Sequence, residues 1–260
     1  TDYNKRIQYQ TYDVTGLLKE GENVIGGILG DGWFSGYVGM DPKRRGAHYG
    51  SRPQLLVQLN IEYEDGTTHG LASDGTWSSS TGPILYSDLL MGEAYDAREE
   101  MEGWDRPGFD DSGWRPASVE EIGGIRLVAE PAQPVRVTRE IGTKAIAEPA
   151  EGVYVFDLGQ NIVGWARLKV KGKPGTRVTL RVAEALQPDG SLYTRNLRTA
   201  RQTDTYILKG VDTEVYEPHF TFHGFRFVEV TGYPGEPSLD AITGRVVHSD
   251  TPPVGTFECS

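Results

Sequence analysis

The sequence predicts an all-β protein made of two consecutive antiparallel sandwiches. Three observations carry that expectation. Apolar and polar residues alternate with a period of two through most of the chain, which is the pattern of half-buried antiparallel strands. There are 33 Gly and 15 Pro in 260 residues, a turn-rich composition. Helical periodicity is scarce and reaches a single turn at most places where it appears.

The elements follow in order. Asp13 is placed to cap one helical turn through Val14–Leu18, which stops at Gly21. Leu55, Val57, Leu59, Ile61 and Tyr63 alternate with Gln54, Leu56, Gln58, Asn60 and Glu62, and this strand ends at the turn dipeptide Asp65-Gly66. Residues 94–102 read as a short helix. Leu168 and Val170, then Val178, Leu180 and Val182, flank a Gly-rich turn from Gly172 to Gly175 and read as a hairpin with a polar outer face. Phe220 and Phe222, then Phe225, Phe227, Val228 and Val230, read as a strand pair broken at Gly224. Pro- and Ala-rich stretches at 130–134 and 148–152 carry no sustained alternation and mark a seam. The expected division is a first sandwich over 1–133, a second over 134–250, and the start of a linker over 251–260, where Pro252-Pro253 stiffens the chain.

Charge and cysteine content exclude several functions. With 26 Lys plus Arg against 37 Asp plus Glu, the net charge is −11. Such a chain is poorly suited to neutralising nucleic-acid phosphates. One cysteine, Cys259, excludes an internal disulfide and any multi-cysteine metal centre. No apolar run reaches the ~18–20 residues of a membrane-spanning helix, so no membrane partner is expected. The first residues show no basic-then-apolar targeting segment, and the compartment stays open. The chain starts without Met and soon enters strand-like sequence. The expectation is a piece cut from a longer chain, with unpaired sheet edges that favour dimerisation.

Four stretches offer chemistry. Gly30-Asp31-Gly32-Trp33-Phe34-Ser35-Gly36-Tyr37 sets aromatics and an acid among turn-forming glycines. Aromatic rings stack on sugar C–H faces and carboxylates read hydroxyls, so Asp31, Trp33 and Tyr37, with Tyr49 from a second loop, form a candidate carbohydrate site. The alternative is a core Trp with turn glycines. Glu93, Asp96, Glu99 and Glu100 form the densest carboxylate cluster; they would suit glycoside hydrolysis if correctly spaced, or cap a short helix and pair with Arg98. Asp157 to Trp165 reads as a hydrogen-bonded turn or a polar contact to another domain. His219 and His223 lie ~13 Å apart on a strand at ~3.3 Å per residue, too far to share one metal.

Five motifs occur in order over essentially the whole chain: Gly30-Asp31-Gly32-Trp33; Gly92-Glu93-x-Tyr95-Asp96-Ala97-Arg98; Phe156-Asp157-Leu158-Gly159-Gln160-Asn161-x-x-Gly164; Asp204-x-Tyr206; and His223-Gly224-Phe225-Arg226-Phe227. The combination resembles the two non-catalytic β-domains of bacterial α-L-rhamnosidases, the first of them a galactose-binding-like jelly roll. The resemblance implies a downstream (α/α)₆ barrel as partner, where an inverting pair of carboxyl groups cleaves terminal α-L-rhamnose. That barrel's Asp-x-x-x-Arg-Asp-Glu-Arg-type segment has no counterpart here, so no catalytic residue is expected in this chain. The resemblance further implies a rhamnose-containing carbohydrate as ligand and a calcium ion held by Asp2 and Asn4 together with carbonyls of the His48–Pro53 loop. A stand-alone rhamnose-binding module, with or without calcium, is the alternative function.

Overall fold

The computed structural model describes residues 2–39, 46–121 and 123–259. Among these residues there is no α-helix; four 3₁₀ turns interrupt an otherwise all-β chain. The first half contributes β1 (Arg6–Tyr9), β2 (Gln58–Glu62), β3 (Thr68–Ala72), β4 (Ser78–Ser79), β5 (Ile84–Asp88), β6 (Gly92–Asp96), β7 (Arg115–Pro116) and β8 (Arg126–Ala129). The second half contributes β9 (Val135–Gly142), β10 (Ala145–Ala150), β11 (Val153–Val170), β12 (Arg177–Ala183), β13 (Ala185–Leu186), β14 (Leu192–Tyr193), β15 (Thr203–Ile207), β16 (Glu214–Tyr216), β17 (His223–Thr231) and β18 (Ile242–Ser249).

One curled, ten-stranded sheet dominates, in the order β5-β6-β15-β12-β17-β11-β18-β9, with β10 and β16 also paired to β11. The β5–β6 hairpin belongs to the first half by sequence and to this sheet by pairing, through a parallel ladder between β6 and β15. The long strand β11 explains the core. Phe156, Leu158, Ile162, Ala166, Leu168 and Val170 point inward, where they meet Val178, Leu180 and Val182 of β12 and Phe225, Val228 and Val230 of β17. Trp165, Arg167 and Lys169 take the other face, as a two-residue period requires.

Two expectations are corrected here. Residues 168–182 do not form a hairpin, because β17 lies between β11 and β12 and pairs with both. Leu168, Val170, Val178, Leu180 and Val182 do share the buried face, but inward–outward periodicity says nothing about which strand is the neighbour. The short helix at 94–102 is instead the end of β6 followed by a 3₁₀ turn, Ala97–Glu99.

The first half pairs in small units. β2 and β3 form a hairpin about the turn expected at Asp65-Gly66, with the Thr67 N–H donating to Asp65 Oδ1 at 2.9 Å. β1 and β8 run parallel, and β4 pairs with β7. Before Met91 no apolar side chain is buried among the described residues. Val24, Ile25, Ile28, Leu29, Leu55 and Leu56 are all exposed.

Candidate functional site: an aromatic and oxygen-rich rim at the N-terminal end

The loop from Gly30 to Tyr37 is fastened to the β5–β6 hairpin. The Ser87 N–H donates to Asp31 Oδ2 at 3.1 Å, and the Gly32 N–H donates to the Ser87 carbonyl at 3.0 Å. The Tyr37 N–H donates to Asp88 Oδ2 at 2.6 Å. Gly36 passes so close that a Cβ there would lie 2.2 Å from Asp88 Oδ2 and 2.3 Å from the Gly32 carbonyl oxygen. Any side chain would break this junction. Asp31 thus holds backbone, Tyr37 is engaged through its backbone, and Trp33 is partly buried.

The same loop carries a second strip of chain. The Ala47 N–H donates to the Ser35 carbonyl and the Tyr49 N–H to that of Phe34. Tyr49 therefore stacks beside Phe34, with ring centroids 6.3 Å apart and planes at 21°. Tyr3 stands edge-on to both, at 5.7 Å from Phe34 and 5.1 Å from Tyr49. His48 is edge-on to Tyr49 at 4.7 Å. Tyr3, which lies between Asp2 and Asn4 in the chain, thus touches the loop that begins at His48 through Tyr49. Of the sequence-derived candidates, Tyr49 packs on Tyr3, the chain neighbour of Asp2 and Asn4, and Asp31 and Tyr37 stand at the neighbouring junction. Tyr3 and Phe34 were not singled out from sequence. Their signal was the aromatic at the centre of Asp2-Tyr3-Asn4 and the one following Trp33.

Asp2 is ordered by its own turn. The Lys5 and Arg6 N–H groups donate to its carbonyl, the Asn4 N–H donates to Oδ1 at 3.1 Å, and Lys5 Nζ lies 2.9 Å from Oδ2. The Lys5 hydrogen bond, then that from Asn4, lowers the Asp2 carboxyl below its ordinary range; Asp2 in turn raises Lys5. A carboxylate, an amide oxygen and backbone carbonyls are the all-oxygen set that calcium prefers. The donor types fit that ion, and Lys5 occupies one carboxylate oxygen. Among the described residues no group of three or more His, Cys, Asp or Glu is placed to hold a metal.

The carboxylate cluster at 93–100 is committed to structure. Glu93 is fully buried and accepts from Ser87 Oγ at 2.9 Å, Tyr216 Oη at 3.1 Å and the His219 N–H at 2.9 Å. His219 Nδ1 lies 2.9 Å from its other oxygen, and the imidazole stacks on Tyr95 at 5.3 Å. The bond to Glu93 raises the His219 pKa, against the opposing effect of burial. Asp96 caps the following turn through the Arg98 N–H and grips the Arg98 guanidinium, which lowers its pKa. His223 faces a different partner, Asp204 Oδ1 at 3.7 Å. Asp157 holds Arg226 through two 2.7 Å bonds, so the Asp157–Trp165 segment is anchored inside the sheet.

Residues 1–139 match the family described as the α-L-rhamnosidase N-terminal domain. The chain belongs to the α-L-rhamnosidase family. Residues 147–248 match the bacterial α-L-rhamnosidase concanavalin-like domain, which is the sandwich that holds the buried core. An α-L-rhamnosidase of Streptomyces avermitilis is 51% identical over 260 residues, covering 99% of this chain and 25% of the relative. One of Formosa agariphila is 39% identical over 267 residues, covering all of this chain and 28% of the relative. The chain spans about a quarter of the length of these α-L-rhamnosidases. Among solved structures, the Streptomyces avermitilis α-L-rhamnosidase complexed with L-rhamnose aligns with a TM-score of 0.87 at 50% identity, over 97% of this chain and 24% of that one. The native enzyme from Aspergillus terreus aligns with a TM-score of 0.85 at 38% identity, over 99% and 30%.

Proposed function

We propose that this chain is the non-catalytic, sugar-engaging β portion of an α-L-rhamnosidase whose further domain hydrolyses terminal α-L-rhamnose. The observation that carries the reading is the convergence of Tyr3, Phe34 and Tyr49 on the turn holding Asp2 and Asn4. Rings of this kind offer a flat face to sugar C–H groups, and the adjacent oxygens accept from hydroxyls directly or through calcium. With calcium bound, Asp2, Asn4 and carbonyls of the 48–53 loop would hold the ion, which supplies a Lewis-acidic contact to vicinal hydroxyls. Trp33, Asp31 and Tyr37 extend the reading as the support of this rim. The likeness to a relative described as complexed with L-rhamnose supports a rhamnose-containing ligand.

The test is affinity electrophoresis in gels carrying a rhamnose-rich polysaccharide. We expect the wild-type chain to be retarded and Tyr49→Ala to run as in a sugar-free gel. Equal mobility of the wild-type chain with and without the polysaccharide would reject the reading. A second reading, a pure scaffold, is favoured by one observation: Asp31, Asp88 and Asp96 spend their carboxylates on local loop and turn contacts, and Glu93 spends its own on Tyr216 and His219 of the second half. It calls for no retardation under any condition.

A further inference from the structure

The geometry points to a second ligand site on the concanavalin-like domain, at the bulge of β11, suited to a carboxylate-bearing sugar. It lies outside the aromatic rim and rests on the reading of the chain as part of a glycan-processing enzyme. Four residues of β11, from Leu158 to Asn161, stand opposite the single residue Arg226 of β17, because Asp157 pairs with Phe227 and Ile162 with Phe225. Bulges of this kind re-aim side chains out of a sheet. Here Gly159, Gln160 and Asn161 are pushed into solvent while Leu158 and Ile162 stay in the core. Beside the bulge is an open cavity of about 310 Å³, lined among others by Arg139, Glu140, Gly142, Lys144, Gly159 and Gln160. That volume is at the small end of ligand pockets and holds a monosaccharide or a short piece of glycan.

The lining has an unusual charge state for a chain of net charge −11. Among the described residues, the side chains of Arg139 and Lys144 have no hydrogen-bond or ion-pair partner, and neither has the Gln160 amide. The one lining carboxylate, Glu140, is already met by Arg167 at 3.2 Å and by Arg245. Two cations without a partner among the described residues therefore line the same small space, whose one lining carboxylate is already paired. Lys144 is held in position: its N–H donates to the Asp157 carbonyl at 2.8 Å, and its stem crosses Gly159, where a Cβ would lie 3.0 Å from Lys144 Cγ. Gly159 has φ of +79°, so glycine serves both the bulge and the passage of Lys144. A guanidinium and an ammonium set for one carboxylate give charge-assisted bonds, and the Gln160 amide and two glycine backbones supply hydroxyl contacts. A glycuronate presents that combination in one ring.

The experiment is a titration of the isotopically labelled chain at low salt with D-galacturonic acid and, separately, D-galactose, which has the same ring without the carboxylate. Amide resonances of Gly142 and Gly159 and the Gln160 side-chain amide are followed. We expect saturable shifts at these positions with galacturonic acid, none with galactose, and weakening as sodium chloride is added. Arg139→Gln and Lys144→Gln should each weaken binding by about tenfold. Arg136→Gln, on the same strand but outside the cavity lining and 3.9 Å from Asp250, should leave it unchanged. Equal responses to the two sugars, displacement by an equal concentration of acetate, or unaltered binding by both variants would overturn the inference. Titration with L-rhamnose, followed at Tyr49, is read separately. Loss of that response alone rejects the rim, and loss of the galacturonate response alone rejects the bulge site.

Discussion

Tyr49 and Lys5 decide opposite sides of the proposed rim. Tyr49 supplies a ring face held by Phe34 and Tyr3, so Tyr49→Ala removes the platform without touching the buried core. Lys5 Nζ holds the carboxylate oxygen that a calcium ion would need. Lys5→Met should therefore raise calcium affinity by up to about fivefold, the span of an exposed ion pair; a calorimetric calcium titration checks this, and an unchanged or weaker affinity counts against Asp2 as a ligand. His219 gives a pH signature. Its imidazole faces Glu93, Glu100 and Glu217 and stacks on Tyr95, and its folded pKa lies above the ordinary 6.5. A raised folded pKa means its stabilisation is full below about 6.5 and is lost as pH rises through the folded value. Urea midpoints measured across that interval should fall more in the wild-type chain than in His219→Gln. Parallel curves would show that the Glu93–His219 pair is not the titrating contact.

At the scale of elements, two junctions hold the architecture. The first is the loop 30–37 on the β5–β6 hairpin. Gly36→Ala puts a methyl within 2.2 Å of Asp88 Oδ2 and should cost about 1–3 kcal/mol, the usual range for overpacking; a denaturation midpoint equal to wild type would mean the loop moves freely off the hairpin. The second is β11 against β17. Phe156 and Phe225 are fully buried there, and Phe225→Ala should cost about 3–5 kcal/mol by chemical denaturation. Sequence reading reached these elements unevenly. The inward set Leu168, Val170, Val178, Leu180 and Val182 was visible because periodicity reports burial. The insertion of β17 between β11 and β12 was not, since pairing partners far apart in sequence leave no local trace. The Asp157–Arg226 pair and the bulge around it joined two motifs already recognised as separate stretches. The proposed rim draws on both sources. Asp2, Asn4 and Tyr49 came from resemblance and loop composition, while Tyr3 and Phe34 emerged only when distant loops met.

The whole molecule is lopsided. Among the described residues the buried apolar side chains run from Met91 onward, whereas Val24, Ile25, Ile28, Leu29, Leu55 and Leu56 of the first half are exposed. Exposed apolar surface of this kind promotes association. Sedimentation velocity of the purified chain should show a concentration-dependent dimer or larger species; a strictly monomeric chain at high concentration would indicate that these side chains are covered within one molecule. The family relationship fixes what kind of protein this is, and the quarter-length coverage leaves the sugar-engaging role to be measured on the chain itself. The direct measurement is calorimetric titration of L-rhamnose into the purified chain, first with calcium and then with chelator. We expect saturable heat in calcium that is lost or strongly reduced on chelation, together with no heat for Tyr49→Ala. Absence of heat in both conditions would contradict a sugar-engaging rim and leave a scaffold in its place.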